Sequence, residues 1–255
     1  MTIRSAALRS GMSDRFRHVL IAGALLGAAL ALAVPRALQE PADPDPGRFA
    51  DEIAAFEQWD RKNAVPHHPV LFVGSSSIRF WPTAESFPEA SVVNRGFGGA
   101  HISDVNHFAE RIVLPYAPSA VVFYAGDNDV AAQKSPQRVF DDYRAFVSVV
   151  REALPSTPIL FLPIKPSLSR WTLWPQMEQA NDLIRAYSEE HALLLYVDIA
   201  TPMLGNDGKP CPALFVEDGL HLSEAGYAVW NRIVTPYLDR MRTAADPSAT
   251  TSYGS

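Results

Sequence analysis

The sequence predicts an α/β fold of three layers, α/β/α, with a doubly wound sheet of about five parallel strands at its centre. Three observations lead there. Five short runs are apolar throughout instead of alternating, which marks strands covered on both faces. Segments between them place apolar residues at helical spacing. The two patterns alternate along the chain, and strand-helix-strand-helix order builds a layered α/β domain.

The elements are justified in chain order. Residues 1–34 carry Arg4, Arg9, Arg15 and Arg17 against Asp14, and residues 19–34 contain no polar side chain. A basic flank before an apolar run is an export signal, with the basic side kept in the cytoplasm. The run falls between a signal-peptide core and the roughly 20 residues that span a bilayer, and Ala31-Leu32-Ala33 has the form of a cleavage site. The segment is therefore read as a signal peptide or a retained N-terminal membrane anchor. The domain is expected outside the cytoplasm, in the periplasm or its equivalent, touching membrane through this segment only. Residues 35–47 hold Pro35, Pro41, Pro44 and Pro46 and read as a stiff linker.

The folded domain is expected over residues 48–242, with a structureless tail at 243–255. Its strands are the runs 70–73, 91–94, 120–125, 158–163 and 193–199. Val139, Tyr143, Phe146, Val147 and Val150 follow helical spacing after Ser135-Pro136, an N-cap followed by a proline suited to the first turn. Met177, Ala180, Ile184 and Tyr187 form a second helical stripe; Tyr227, Trp230, Val234 and Tyr237 form a third, after the cap candidate Ser223.

Composition bounds the chemistry. The chain has 255 residues, 47% of them hydrophobic, and a net charge of -6. Because the first 34 residues are basic, the body is more acidic than the whole, a poor partner for nucleic acid. The single Cys211 excludes an intrachain disulfide and a cysteine zinc cluster.

In an open parallel sheet, ligands bind beyond the carboxyl ends of the strands. Four segments lie there: Gly74-Ser75-Ser76-Ser77, Asn94-Arg95-Gly96-Phe97-Gly98-Gly99, Gly126-Asp127-Asn128-Asp129 and, before the last helix, Asp218-Gly219-Leu220-His221. Together they offer hydroxyls, bared backbone N–H groups, a carboxamide and an imidazole with a carboxylate, the parts of an acyl-transfer site. Taken singly, each has a plainer reading as a helix cap or a turn.

VLFVGSSSIRFW, NRGFGGAHISDV, YAGDNDV and EDGLHLSEAGY resemble, in order, the sequence blocks of the SGNH (GDSL-type) hydrolase superfamily, over about residues 70–227. The resemblance implies a flavodoxin-like sheet and a serine esterase or acylhydrolase. The family's Gly-Asp-Ser-Leu becomes Gly74-Ser75-Ser76-Ser77, so the nucleophile position falls on Ser76, with Ser75 in place of the aspartate and Ser75 and Ser77 as neighbouring candidates. The match carries the catalytic pair onto Asp218 and His221, and the oxyanion hole onto the Ser76 and Gly99 N–H groups and the Asn128 amide. It implies no metal or organic cofactor, and a small-molecule, lipid or glycan ester as substrate.

Other readings use the same residues. An O-acyltransferase would share the site, and an anchored binding module would keep the fold without turnover. A strand followed by Asp127-Asn128-Asp129 also fits a magnesium-dependent phosphatase with Asp127 as nucleophile. Beyond the fourth strand, residues 164–175 form a long loop in which Trp171 and Trp174 are candidates either to line a substrate pocket or to staple the loop to the next helix. Arg79 and Arg95 are expected either to meet an anionic substrate group or to be solvated.

Overall fold

Every apolar run becomes a strand. The computed structural model describes residues 40–245 and contains β1 (Val70–Gly74), β2 (Val92–Gly96), β3 (Ala120–Tyr124), β4 (Ile159–Phe161) and β5 (Leu194–Tyr196). All pairings are parallel and the order is β2-β1-β3-β4-β5. This is the flavodoxin-like order of a doubly wound sheet, with its switch point between β1 and β3. Gly74 stands opposite both Gly96 and Tyr124, so the three strands that carry candidate site loops end level at one edge.

The helices used below are α1 (Ala50–Lys62), α2 (Ser76–Arg79), α3 (Ile102–Ile112), α4 (Asp127–Ala131), α5 (Pro136–Ala153), α6 (Trp174–Glu189) and α7 (Glu224–Ala245). Strand side chains alternate between two cores. Leu71, Val73, Val121 and Phe123 pack with α1, α3, α5 and α6; Phe72, Val122 and Tyr124 pack with Ile78 of α2 and Trp230 and Val234 of α7. Full burial on both faces is why these strands lack polar alternation. The expected caps are present: Ser135 Oγ accepts the Arg138 N–H at 3.1 Å, and Ser223 Oγ the Gly226 N–H at 3.3 Å.

The ordered elements reach slightly past the expected domain limits, from Pro46 to Ala245. Part of the stretch read as a linker is seated on the domain. Glu40 accepts the Ser135 N–H, Asp43 pairs with Lys134 and Arg138, and Asp45 caps the short 3-10 helix Pro46–Phe49. Composition shows the prolines, but not the buried Lys134 and the half-buried Arg138 that hold this stretch. Residues 1–39, with the expected signal or anchor, and 246–255 lie outside the described residues. Among the described residues no helix is long and apolar enough to cross a membrane.

Arg95 requires a correction. It is buried, pairs with Asp60, donates to Tyr116 Oη at 2.6 Å and to the Asn94 carbonyl at 2.7 Å, and lies over the rings of Phe56 and Trp59. It is neither solvated nor at the site, because a long side chain on an edge strand can be covered by a preceding helix. Arg79 pairs with Glu52 of α1 at 3.0 Å.

Candidate active site

β1 delivers the chain into a tight strand-to-helix turn. Gly74 has φ +144°, and a Cβ there would lie 1.8 Å from the Tyr124 carbonyl oxygen, so no side chain fits. Ser75 then donates its N–H to that same oxygen at 2.9 Å. Ser76 is the first residue of α2, where a backbone N–H has no acceptor within the helix. Of the three serines, Ser75 and Ser77 are buried, and the Ser77 hydroxyl lies 3.1 Å from Lys165 Nζ. Ser76 Oγ instead lies 3.0 Å from His221 Nε2.

The Asp218-His221 loop is shaped by its own aspartate. Asp218 Oδ1 accepts the N–H groups of Leu220 at 2.8 Å and His221 at 2.9 Å, while Oδ2 lies 2.6 Å from His221 Nδ1. Burial raises the Asp218 pKa, but the His221 ring and the two backbone donors outweigh it and hold the group down to about 2. An ionised carboxylate only accepts, so Nδ1 carries the proton and Nε2 presents its lone pair to Ser76. Phe80 meets the His221 ring edge-on at 5.1 Å between centroids.

The two remaining loops, at the same sheet edge, meet each other. Gly99 has φ +79° and open space where a side chain would stand, which leaves its backbone approachable. Asn128 sits in the first turn of α4, not in an isolated turn, and its Nδ2 donates to the Ala100 carbonyl at 3.0 Å. The next residue locks both loops from below. Asp129 is fully buried, accepts the Ile102 N–H at 3.2 Å and lies 2.9 Å from Lys134 Nζ. Burial opposes the Lys134 charge, but Asp129, Asp43 and Asp142 outweigh it and raise that pKa.

In the long loop after β4 the tryptophans take the stapling arrangement. Trp171 and Trp174 stack on each other at 6.0 Å, Trp174 packs against the core, and neither lines the groove beside His221. The side chain from this loop that reaches the site is Arg170. Its Nη2 donates to Asn128 Oδ1 at 3.0 Å and its Nη1 lies 3.2 Å from Asp127 Oδ2. Lys165, which is buried, lies 3.5 Å from the same carboxylate and 3.1 Å from Tyr124 Oη; burial lowers its pKa, against the pull of Asp127. Asp127, the candidate phosphatase nucleophile, thus faces two cations. Among the described residues no three His, Cys, Asp or Glu side chains gather where they could hold a metal ion. The available signal for Arg170, Lys165 and Asp129 was their place beyond strand ends, but charged residues in a loop read as solvated until the packing is known.

A groove of about 630 Å³ opens beside His221, walled by Phe80, Pro82, Val216, Leu222 and Tyr227, with Glu85 and Glu224 at its sides.

The chain matches the model of the GDSL-like Lipase/Acylhydrolase family over residues 79–229. A search of curated proteins finds no match. Among solved structures, one from Streptococcus pneumonia, provisionally named a platelet activating factor, is 19% identical, with a TM-score of 0.67 over 89% of this chain and 100% of its own. A GDSL-like lipase from Bacteroides thetaiotaomicron is 20% identical, with a TM-score of 0.62 over 77% of this chain and 98% of its own. A catalytic variant of an acetylxylan esterase from Geobacillus stearothermophilus is 20% identical, with a TM-score of 0.54 over 69% of this chain and 96% of its own. At such identities these likenesses concern the fold.

Proposed function

The chain belongs to the GDSL-like lipase/acylhydrolase family, and on that premise we propose that it is a serine esterase that hydrolyses acyl or acetyl esters through an acyl-Ser76 intermediate. The observation that carries this reading is the unbroken chain from Asp218 Oδ2 to His221 Nδ1 at 2.6 Å and from His221 Nε2 to Ser76 Oγ at 3.0 Å. As the Ser76 oxygen attacks the ester carbonyl, His221 takes its proton and Asp218 stabilises the resulting imidazolium. The carbonyl oxygen becomes an oxyanion held by the N–H groups of Ser76 and Gly99 and by the Asn128 amide, each worth about 3 kcal/mol in the transition state. Collapse expels the alcohol, which receives the proton from His221. Water then attacks the acyl group with His221 as base, and Ser76 is regenerated.

The groove beside His221 supports an ester with one apolar portion, acyl chain or alcohol, lying against Phe80, Val216 and Tyr227. Lipid, acetylated-glycan and small esters belong to this class. We further propose that the domain works outside the cytoplasm, on the strength of the basic and apolar pattern of residues 1–34.

A serine-reactive phosphonate tests the activity. It should label the wild-type protein and spare Ser76→Ala, and persistent labelling of that variant would refute the assignment. An ester panel graded by acyl length, with and without a glycan acceptor, then ranks substrates. Fractionation that finds the protein in the cytoplasm would overturn the location.

A further inference from the structure

We infer that Arg170 is a positioning residue of the oxyanion hole, which holds the Asn128 carboxamide with its N–H edge toward the reacting carbonyl. The inference rests on the serine-esterase reading above. A carboxamide has two edges, and only the side carrying Nδ2 can stabilise an oxyanion. Here the partners decide which side that is. Asn128 Oδ1 accepts from Arg170 Nη2 at 3.0 Å, and Nδ2 donates to the Ala100 carbonyl at 3.0 Å. Guanidinium has only donors and a backbone carbonyl only accepts. A reversed amide would set its NH₂ against the guanidinium and its oxygen against the carbonyl oxygen, a clash at both ends. In the observed orientation one N–H serves Ala100 and the other remains as the donor for the oxyanion.

Arg170 is itself held in place. Its side chain is 19% exposed, and Nη1 lies 3.2 Å from Asp127 Oδ2, a carboxylate also backed by Lys165 at 3.5 Å. Lys165 in turn reaches the hydroxyl of Ser77, next to the nucleophile. The loop that carries the arginine is pinned at two further points. The Asn181 side chain bonds both the N–H and the carbonyl of Ile164, and the Ser169 N–H donates to the Gly219 carbonyl at 3.1 Å, in the loop of Asp218 and His221. A single loop thus ties the base, the nucleophile's helix and the oxyanion amide together. The guanidinium also sets a positive charge behind the amide, and a charge-assisted bond to Oδ1 makes its N–H a stronger donor as the oxyanion forms.

The test is a double-mutant cycle on the full-length protein with p-nitrophenyl acetate as probe. Removing one oxyanion donor costs about 10²- to 10³-fold in kcat, which is the ceiling for Asn128→Ala. Arg170→Met should lower kcat by about 10- to 100-fold, because the Ala100 contact alone still favours the right edge. KM should stay within about twofold, since Arg170 works through a group that acts in the transition state. Arg170→Lys keeps a cation beside Asp127, which protects folding, and should lose less than Arg170→Met. In the Asn128→Ala background both substitutions should change kcat by no more than about twofold, since one unit is removed only once.

Equal losses in both backgrounds would show that Arg170 merely supports the fold, and so overturn the inference. A loss confined to KM, or an unchanged kcat, would do the same. If phosphonate labels Ser76 while any of these results is obtained, the esterase reading stands and this inference falls. If Ser76 is never labelled, both fall.

Discussion

Replacing Asp218 by asparagine should be at least as damaging as replacing it by alanine, although asparagine is the closer mimic. The reason lies in how the carboxylate is tied. Oδ1 accepts two backbone N–H groups, from Leu220 at 2.8 Å and His221 at 2.9 Å. In Asp218→Asn the amide oxygen must stay on those donors, because an NH₂ there would face two N–H groups. The amide nitrogen is therefore forced onto His221 Nδ1, which becomes the acceptor, and the ring proton moves to Nε2. That nitrogen faces Ser76 Oγ at 3.0 Å and can no longer take its proton. A locked wrong tautomer costs on the order of 10⁴ in kcat, or about 5 kcal/mol of transition-state stabilisation. Asp218→Ala removes the support for the imidazolium but leaves the tautomer free to adjust. Because Asp218→Asn keeps both backbone bonds, the loop should hold its shape; the variant loses the stability that the carboxylate's charge contributes, but its thermal unfolding should stay cooperative, which separates chemistry from folding. The assay is kcat/KM on an aryl acetate at one fixed pH for all variants, together with the rate of phosphonate labelling. Asp218→Asn with clearly more activity than Asp218→Ala would refute the tautomer argument. Independent, multiplying losses at Asp218 and His221 would show that the two do not act as one unit.

Three further outcomes are expected. Because hydrogen bonds from His221 and two backbone N–H groups hold the Asp218 pKa to about 2, the acid limb of log kcat/KM should not steepen near pH 4, where a free aspartate would titrate, and a second protonation there would refute the ionised pairing. The same depressed carboxylate stabilises the fold above its unfolded value of about 4, and acid titration should show that contribution lost as pH falls toward about 2. Gly74→Ala should destabilise by at least about 3 kcal/mol in urea melts, since its Cβ would stand 1.8 Å from the Tyr124 oxygen at an unfavourable φ; an unchanged midpoint would contradict the strand-end geometry. Compared with a chain shortened to residue 40, one shortened to residue 48 also lacks Asp43 in the Lys134 cluster, for a loss of up to about 1 kcal/mol measurable by thermal unfolding.

What the sequence alone determined was the layer architecture and the segments that hold the candidate reacting groups. Strand and helix are local patterns: a run such as Val121-Val122-Phe123 between polar turns can only be a strand buried on both faces, and Ser135-Pro136 can only start a helix well. Position beyond strand ends or before the last helix marked the four candidate segments, and the resemblance to the SGNH blocks carried the individual roles onto Ser76, Gly99, Asn128, Asp218 and His221. Tertiary structure alone decided which partner each long or charged side chain takes. The resemblance put the nucleophile position on Ser76 with Ser75 and Ser77 as neighbouring candidates, and the pitch of α2 turns Ser77 toward Lys165 while Ser76 meets His221. The sequence singled out Trp171 and Trp174 but passed over Arg170, which lies next to Trp171 and reaches Asn128. It read Arg95 as a surface or substrate contact, whereas Asp60 and Tyr116 enclose it. The physical reason is common to all three. Period and capping depend on neighbours within a few residues, whereas the partner of a buried charge lies tens of residues away and is chosen by the close packing of the whole domain.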